Sequence, residues 1–279
     1  MTTNFKFNGF LKVLIPFLLT QALGIYAAFR FLPALATVQP VSFGGFSFYD
    51  FLILLIFVVL FIFLASRFQK FGAVFYKVIL TFLIFGGSQA IFGIWLGLAA
   101  SILASVILTV LFWFFQTVFM QDIAMILTLA GIGSIFGLSF APTAVLLILI
   151  IFSFYDIIAV YKTGHMIKLA ESMIRSHAIF GLVIPSSLGG LKERMSRVAP
   201  GEEFMILGSG DVIFPLLLSA SIVRISIAQA AMVGIFSAVG LFLMYWLFTH
   251  QKVRKPMAAL PPIAGASIVG YLIALLIFK

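Results

Sequence analysis

Residues 205–223 read MILGSGDVIFPLLLSASIV, a stretch of membrane-spanning length with one charge in it, Asp211. An aspartate deep in a bilayer is disfavoured by about 3 kcal/mol on insertion scales, so such residues face the protein interior and share their charge with a partner. The apolar run defines a membrane helix, and its acid raises the question of which group shares that burden.

The rest of the chain agrees with a membrane setting. Of 279 residues, 63% are hydrophobic and only 9% charged, where a soluble domain carries roughly 25% charged residues. Apolar runs of spanning length recur throughout, so the expected fold is all-α, a polytopic helical membrane protein in a lipid bilayer. The net charge of +9 is read as basic residues held on the cytoplasmic face, with no nucleic-acid partner. No cysteine is present, and His165, His177 and His250 lie in or beside polar connections without an HExxH pair. No metal and no cofactor are expected. The stretch from Leu11 to Ala36 has a signal-peptide-like end at Ala34-Leu35-Ala36, but Arg30 interrupts its apolar core. It is read as a retained first span.

Several runs are too long for one crossing. Residues 73–120 as a helix would reach roughly 70 Å, against a hydrocarbon core of about 30 Å. Gly86-Gly87-Ser88-Gln89, Ala141-Pro142 and Arg224 are the expected breaks. About nine spans result, near 11–36, 49–66, 73–88, 92–117, 123–140, 142–161, 205–223, 225–249 and 257–278. The chain then forms one transmembrane domain over 1–279, with spans 1–6 in 1–161, a cytoplasmic loop at 162–204 and spans 7–9 in 205–279. With the N-terminus cytoplasmic and the C-terminus outside, all basic residues but Arg30, Arg224 and Lys279 fall on the cytoplasmic side, as the positive-inside bias requires. The expected location is a multi-pass protein of the cell membrane. Within the long loop, residues 165–184 read as an amphipathic interfacial helix, and Pro185–Glu203 as a mobile Gly/Ser/Pro-rich connection. An edge strand formed by the Ser186–Glu203 segment is a further expectation.

Of the eight acids, Glu171, Glu193, Glu202 and Glu203 belong to the loop. Asp50 begins the second span and Asp122 lies between the fourth and fifth. Asp156 and Asp211 remain inside spans. Counted at helical rise, Asp156 lies roughly 9 Å from Lys162 and Asp211 roughly 12 Å from Glu203. Antiparallel neighbours would bring them together at one depth. Two such carboxylates titrate as a coupled pair that retains one proton over an intermediate range. A singly protonated pair suits hydrolysis, with one acid taking a proton from water while the other polarises the carbonyl. The same two acids also suit a proton- or cation-coupled transporter or channel. Gly208 and Gly210 allow close backbone approach at the helix start, and Pro215 deprives the Asp211 carbonyl of its helical donor.

Tyr155-Asp156 in one span and Gly208-Ser209-Gly210-Asp211 in the next resemble the YD and GxGD motifs of the presenilin and signal peptide peptidase family, in a compact form like that of its microbial, archaeal members. The resemblance covers essentially the whole chain. It implies a nine-span intramembrane aspartyl endopeptidase acting on transmembrane peptide substrates, with Asp156 and Asp211 as the catalytic pair. The family's Pro-Ala-Leu motif is matched in part: Ala258 stands where it has proline, followed by Ala259-Leu260. Tyr155, Gly208, Gly210, Ala259 and Leu260 are the expected substrate-positioning residues. Pro33-Ala34-Leu35 and Tyr49-Asp50 repeat the spellings of two motifs, but topology puts them at the opposite face.

Overall fold

In lipid, every backbone N–H and C=O must be bonded within the protein, so long apolar segments form helices unless other protein covers them. The computed structural model describes residues 7–35, 69–199, 203–251 and 256–278. Among these, nine α-helices carry the fold: α1 (Phe7–Leu35), α2 (Gln69–Phe92), α3 (Leu98–Phe115), α4 (Val118–Ser139), α5 (Pro142–Ile157), α6 (His165–Arg175), α7 (Ser209–Ile222), α8 (Ile227–Thr249) and α9 (Leu260–Ile277). A π-helical turn, Ile158–Lys162, prolongs α5. A short antiparallel ribbon, β1 (Gly181–Pro185) with β2 (Phe204–Gly208), precedes α7. Seven of the helices (all but α6 and α7) are long and apolar enough to cross a membrane. The expected span at 49–66, with Tyr49 and Asp50, lies outside the described residues.

The arrangement is set by α7. At 14 residues it reaches only about 21 Å, short of a bilayer core, and its residues from Pro215 to Ile222 are all buried. Helices α1, α4, α5, α8 and α9 pack around it. With no hydrophobic drive between helices in lipid, close packing at small residues has to substitute. A Cβ on Gly133 of α4 would fall 2.6 Å from Leu216 of α7, and one on Gly137 would fall 2.4 Å from the Ala220 Cβ. Only glycine admits α7 at this distance.

Four expectations need correction. The break in 73–117 falls at Gly93–Gly97, after α2, and not at Gly86–Gln89. Gly87 lies inside α2 because that helix crosses α4 there: a Cβ on Gly131 would stand 2.0 Å from the Gly87 carbonyl oxygen. The glycine pair marks a helix contact and not a turn. Secondly, the segment expected as the start of the seventh span is strand from Phe204 to Gly208. The strand rise is about twice the helical rise, so the 12 Å estimate for Asp211 used the wrong geometry. Thirdly, the amphipathic helix stops at Arg175, and Gly181–Pro185 is a fully buried strand. Finally, the segment after β1 is tied down. Its two 3₁₀ turns, Leu188–Lys192 and Met195–Arg197, bond to the α3–α4 connection: Val118 N–H donates to the Glu193 carbonyl (3.0 Å) and Met195 N–H to the Gln116 carbonyl (2.8 Å). Lys12 of α1 donates to the Ser186 carbonyl. The strands flank the Ser186–Glu203 segment, and among its described residues none belongs to a strand.

Candidate active site

Asp156 lies in the last turn of α5, and its side chain is buried. The turn that follows is wider than α-helical, with Thr163 N–H donating to the Ile158 carbonyl five residues back (3.0 Å); single π-turns of this kind recur at functional sites. The carboxylate faces the start of α9, where Asp156 Oδ2 accepts the Leu260 N–H at 3.2 Å and the carboxylate also takes the Ala259 N–H. The sequence around Leu260 explains why these donors are available. A helix N-terminus leaves its first N–H groups without internal partners, and here Pro261 and Pro262, at the second and third positions, have none to offer. The donors that remain nearest the helix start are those of Ala259 and Leu260, and a carboxylate there is favoured by the helix dipole. Ala258 contributes no N–H to this contact. Its departure from the Pro-Ala-Leu spelling therefore leaves the contact with Asp156 intact.

Asp211 is the third residue of α7, whose N-cap is Gly208. Its carboxylate reaches back to accept the Gly208 N–H. This is one half of a capping box, the acid at the third position bonding the N-cap N–H; glycine supplies no side chain for the other half. A Cβ on Gly208 would lie 3.1 Å from Asp211 Oδ2, so the absent side chain keeps space beside the acid. At Gly210 the nearest protein atoms to an added Cβ are those of the Phe214 ring, at 3.4 Å. That is ordinary contact, and this chain's own packing does not demand glycine there.

Asp156 and Asp211 interact electrostatically, because α5, α7 and α9 pack on one another. Tyr155, half-buried, also feels the Asp156 charge. One further contact was not foreseen. Phe152 and Phe214 pack at 4.8 Å between centroids, and each lies one helical turn from an acid, on its face. The ring pair joins α5 to α7 beside the two carboxylates. Gln21 of α1, 2% exposed, donates to the Val212 carbonyl at 2.9 Å and ties the first turn of α7 to a third helix. An aromatic one turn from each intramembrane acid and a lone glutamine in an apolar span were the signals available. Arg224, expected as a break between spans, also donates to the Leu138 carbonyl in the last turn of α4 (3.1 Å).

Asp122 was assigned to a connection. It lies instead in the second turn of α4, and its Oδ1 accepts the Val183 N–H of β1 at 2.8 Å.

Fold and site together define a class: a polytopic helical membrane protein enclosing two interacting carboxylates, as intramembrane aspartyl proteolysis requires. The chain belongs to the signal-peptide peptidase, presenilin aspartyl protease family, which matches it over residues 13–279. Two solved structures, both described as a presenilin family intramembrane aspartate protease, are similar to it. The one in a P2 crystal form shares 25% identity at a TM-score of 0.64, covering 98% of this chain and 98% of that chain. The other, in a C222 form, shares 24% identity at a TM-score of 0.62, covering 94% and 95%. No curated protein matches the chain. The protein is an integral membrane protein and an aspartic endopeptidase of the intramembrane type, and nothing in these likenesses favours the transporter reading.

Proposed function

We propose that Asp156 and Asp211 are the catalytic pair and that residues 1–279 act as one transmembrane protease domain on transmembrane peptide substrates. The observation that carries this reading is the mutual placement of the acids: α5 and α7 meet at the Phe152–Phe214 contact, one helical turn from each acid, and the Leu260 N–H orients Asp156.

One proton is shared by the pair. The ionised acid takes a proton from a water molecule, whose oxygen attacks the scissile carbonyl carbon. The protonated acid donates to the carbonyl oxygen as charge develops there. The tetrahedral intermediate collapses by breaking the C–N bond: the departing nitrogen takes the proton that came from water, and a hydroxyl of the intermediate returns its proton to the other acid. One water is consumed, a carboxyl and an amine are released, and the pair returns to its singly protonated state.

A helical substrate hides its scissile carbonyl in internal hydrogen bonds, so it must be unwound locally. The ribbon offers a place for the unwound chain. In an antiparallel pair, the backbone groups of alternate residues point inward to the partner and outward. Ser209 N–H donates to the Phe180 carbonyl and Ser186 N–H to the Glu203 carbonyl, so with this register the outward-facing residues of β2 are Phe204, Ile206 and Gly208. Among the described residues, nothing bonds the N–H or carbonyl of Ile206 on that edge. An extended substrate segment adding to this edge runs toward Gly208 and Asp211. Gly210 leaves room for it, and Tyr155 and the Ala259-Leu260 turn bound the site from the Asp156 side. The charge asymmetry of the loops supports an orientation with the N-terminus cytoplasmic and the C-terminus outside, in the cell membrane.

The test is purified protein with a detergent-solubilised transmembrane substrate. Asp156→Ala and Asp211→Ala should each abolish cleavage. Cleavage equal to wild type in either variant would overturn the catalytic assignment.

A further inference from the structure

The ribbon has two edges, and they are treated differently. On β1 the outward-facing residues are Gly181, Val183 and Pro185. That edge is closed by two neighbouring residues of α4. Gln121, fully buried, donates from Nε2 to the carbonyls of Ile179 (2.7 Å) and Gly181 (3.1 Å). Asp122 Oδ1 accepts the Val183 N–H. These three contacts alternate along the strand as its outward groups do, so they hold one register of β1 against α4. Sliding by one residue would turn every side chain to the opposite face. Sliding by two in one direction would bring Pro185, which has no N–H, to Asp122.

We infer that Gln121 and Asp122 are positioning residues for proteolysis: they seal the β1 edge and fix the ribbon's register, so that an unwound substrate adds only to the β2 edge and meets the acids at one peptide bond. The inference rests on the edge-docking reading above. Neither side chain touches substrate. They act through β1, which pairs with β2 along its whole length, and β2 runs directly into the N-cap of Asp211's helix.

The consequence is fidelity of the cut, which a merely stabilising contact would not control. In Asp122→Ala, measured per folded enzyme after gel filtration, kcat should fall about tenfold, the factor corresponding to the net strength of one hydrogen bond. Mass spectrometry of the products should show added cuts at neighbouring bonds. Asp122→Asn, whose amide oxygen still accepts the Val183 N–H, should restore most of the rate and the wild-type cut positions. If Asp122→Ala does not fold, Gln121→Asn, which pulls the amide back by one methylene, makes the same measurement. Unchanged cut positions and kcat per folded enzyme would overturn the proposal, and so would an Asp122→Asn variant as impaired as Asp122→Ala. Failure of the edge-docking reading shows separately: Ile206→Pro would then cleave as well as Ile206→Ala, whatever Asp122 does.

Discussion

Ile206→Pro isolates the open edge of β2 from everything else the ribbon does. Proline removes one N–H and is tolerated on edge strands where that N–H faces outward. At Ile206 it does face outward, since Leu207 and Met205 make the bonds to β1 in this register. The free enzyme therefore loses no internal hydrogen bond, and its thermal midpoint should match that of Ile206→Ala, which controls for the lost side chain packed beside Phe204 and Val183. The bound substrate does lose a donor, and its carbonyl is left unpaired in a water-poor site. An unsatisfied buried acceptor costs about 1–3 kcal/mol, which corresponds to roughly 5- to 150-fold. The expected result is a drop of that size in kcat/KM for a solubilised transmembrane substrate, relative to Ile206→Ala. Leu207→Pro, which breaks the inward ladder, should instead lower the thermal midpoint. Equal kcat/KM in Ile206→Pro and Ile206→Ala would refute the docking geometry.

Ala258→Pro, which restores the family's Pro-Ala-Leu spelling, should leave kcat within about threefold of wild type, because the donors to Asp156 belong to Ala259 and Leu260; steady-state kinetics check this. Gly131→Ala should destabilise the fold by about 1–3 kcal/mol through overpacking against the Gly87 carbonyl, read as a lower thermal midpoint. Gly86→Ala, where an added Cβ meets nothing within 4 Å, should show no such loss.

Much of the fold was legible because its cause is local. An apolar run in lipid has few alternatives to a helix, and each of the described spans begins and ends within about six residues of its expected bounds. The acids were legible for a related reason: an aspartate within such a run is conspicuous. A candidate partner was readable as well, from the order and direction of adjacent spans. The errors fell where a residue type has two physical uses. Gly86-Gly87 suggested a turn, but glycine also permits close helix crossing, and only the position of α4 decides between them. MILG before Asp211 is apolar enough for a helix, and became a strand because β1 was present to bond it and other protein to cover it.

The chain's chemistry by itself thus determined a helical membrane protein with Asp156 and Asp211 inside it, since hydrophobic length and the rarity of intramembrane charge are properties of the residues. Tertiary structure decided what surrounds those acids. The Ala259 and Leu260 donors, the Phe152–Phe214 contact, and the closed and open edges of the ribbon all join segments far apart in sequence. Hydrogen bonds and close packing act over a few ångströms, so no local pattern encodes which distant group will fill that space.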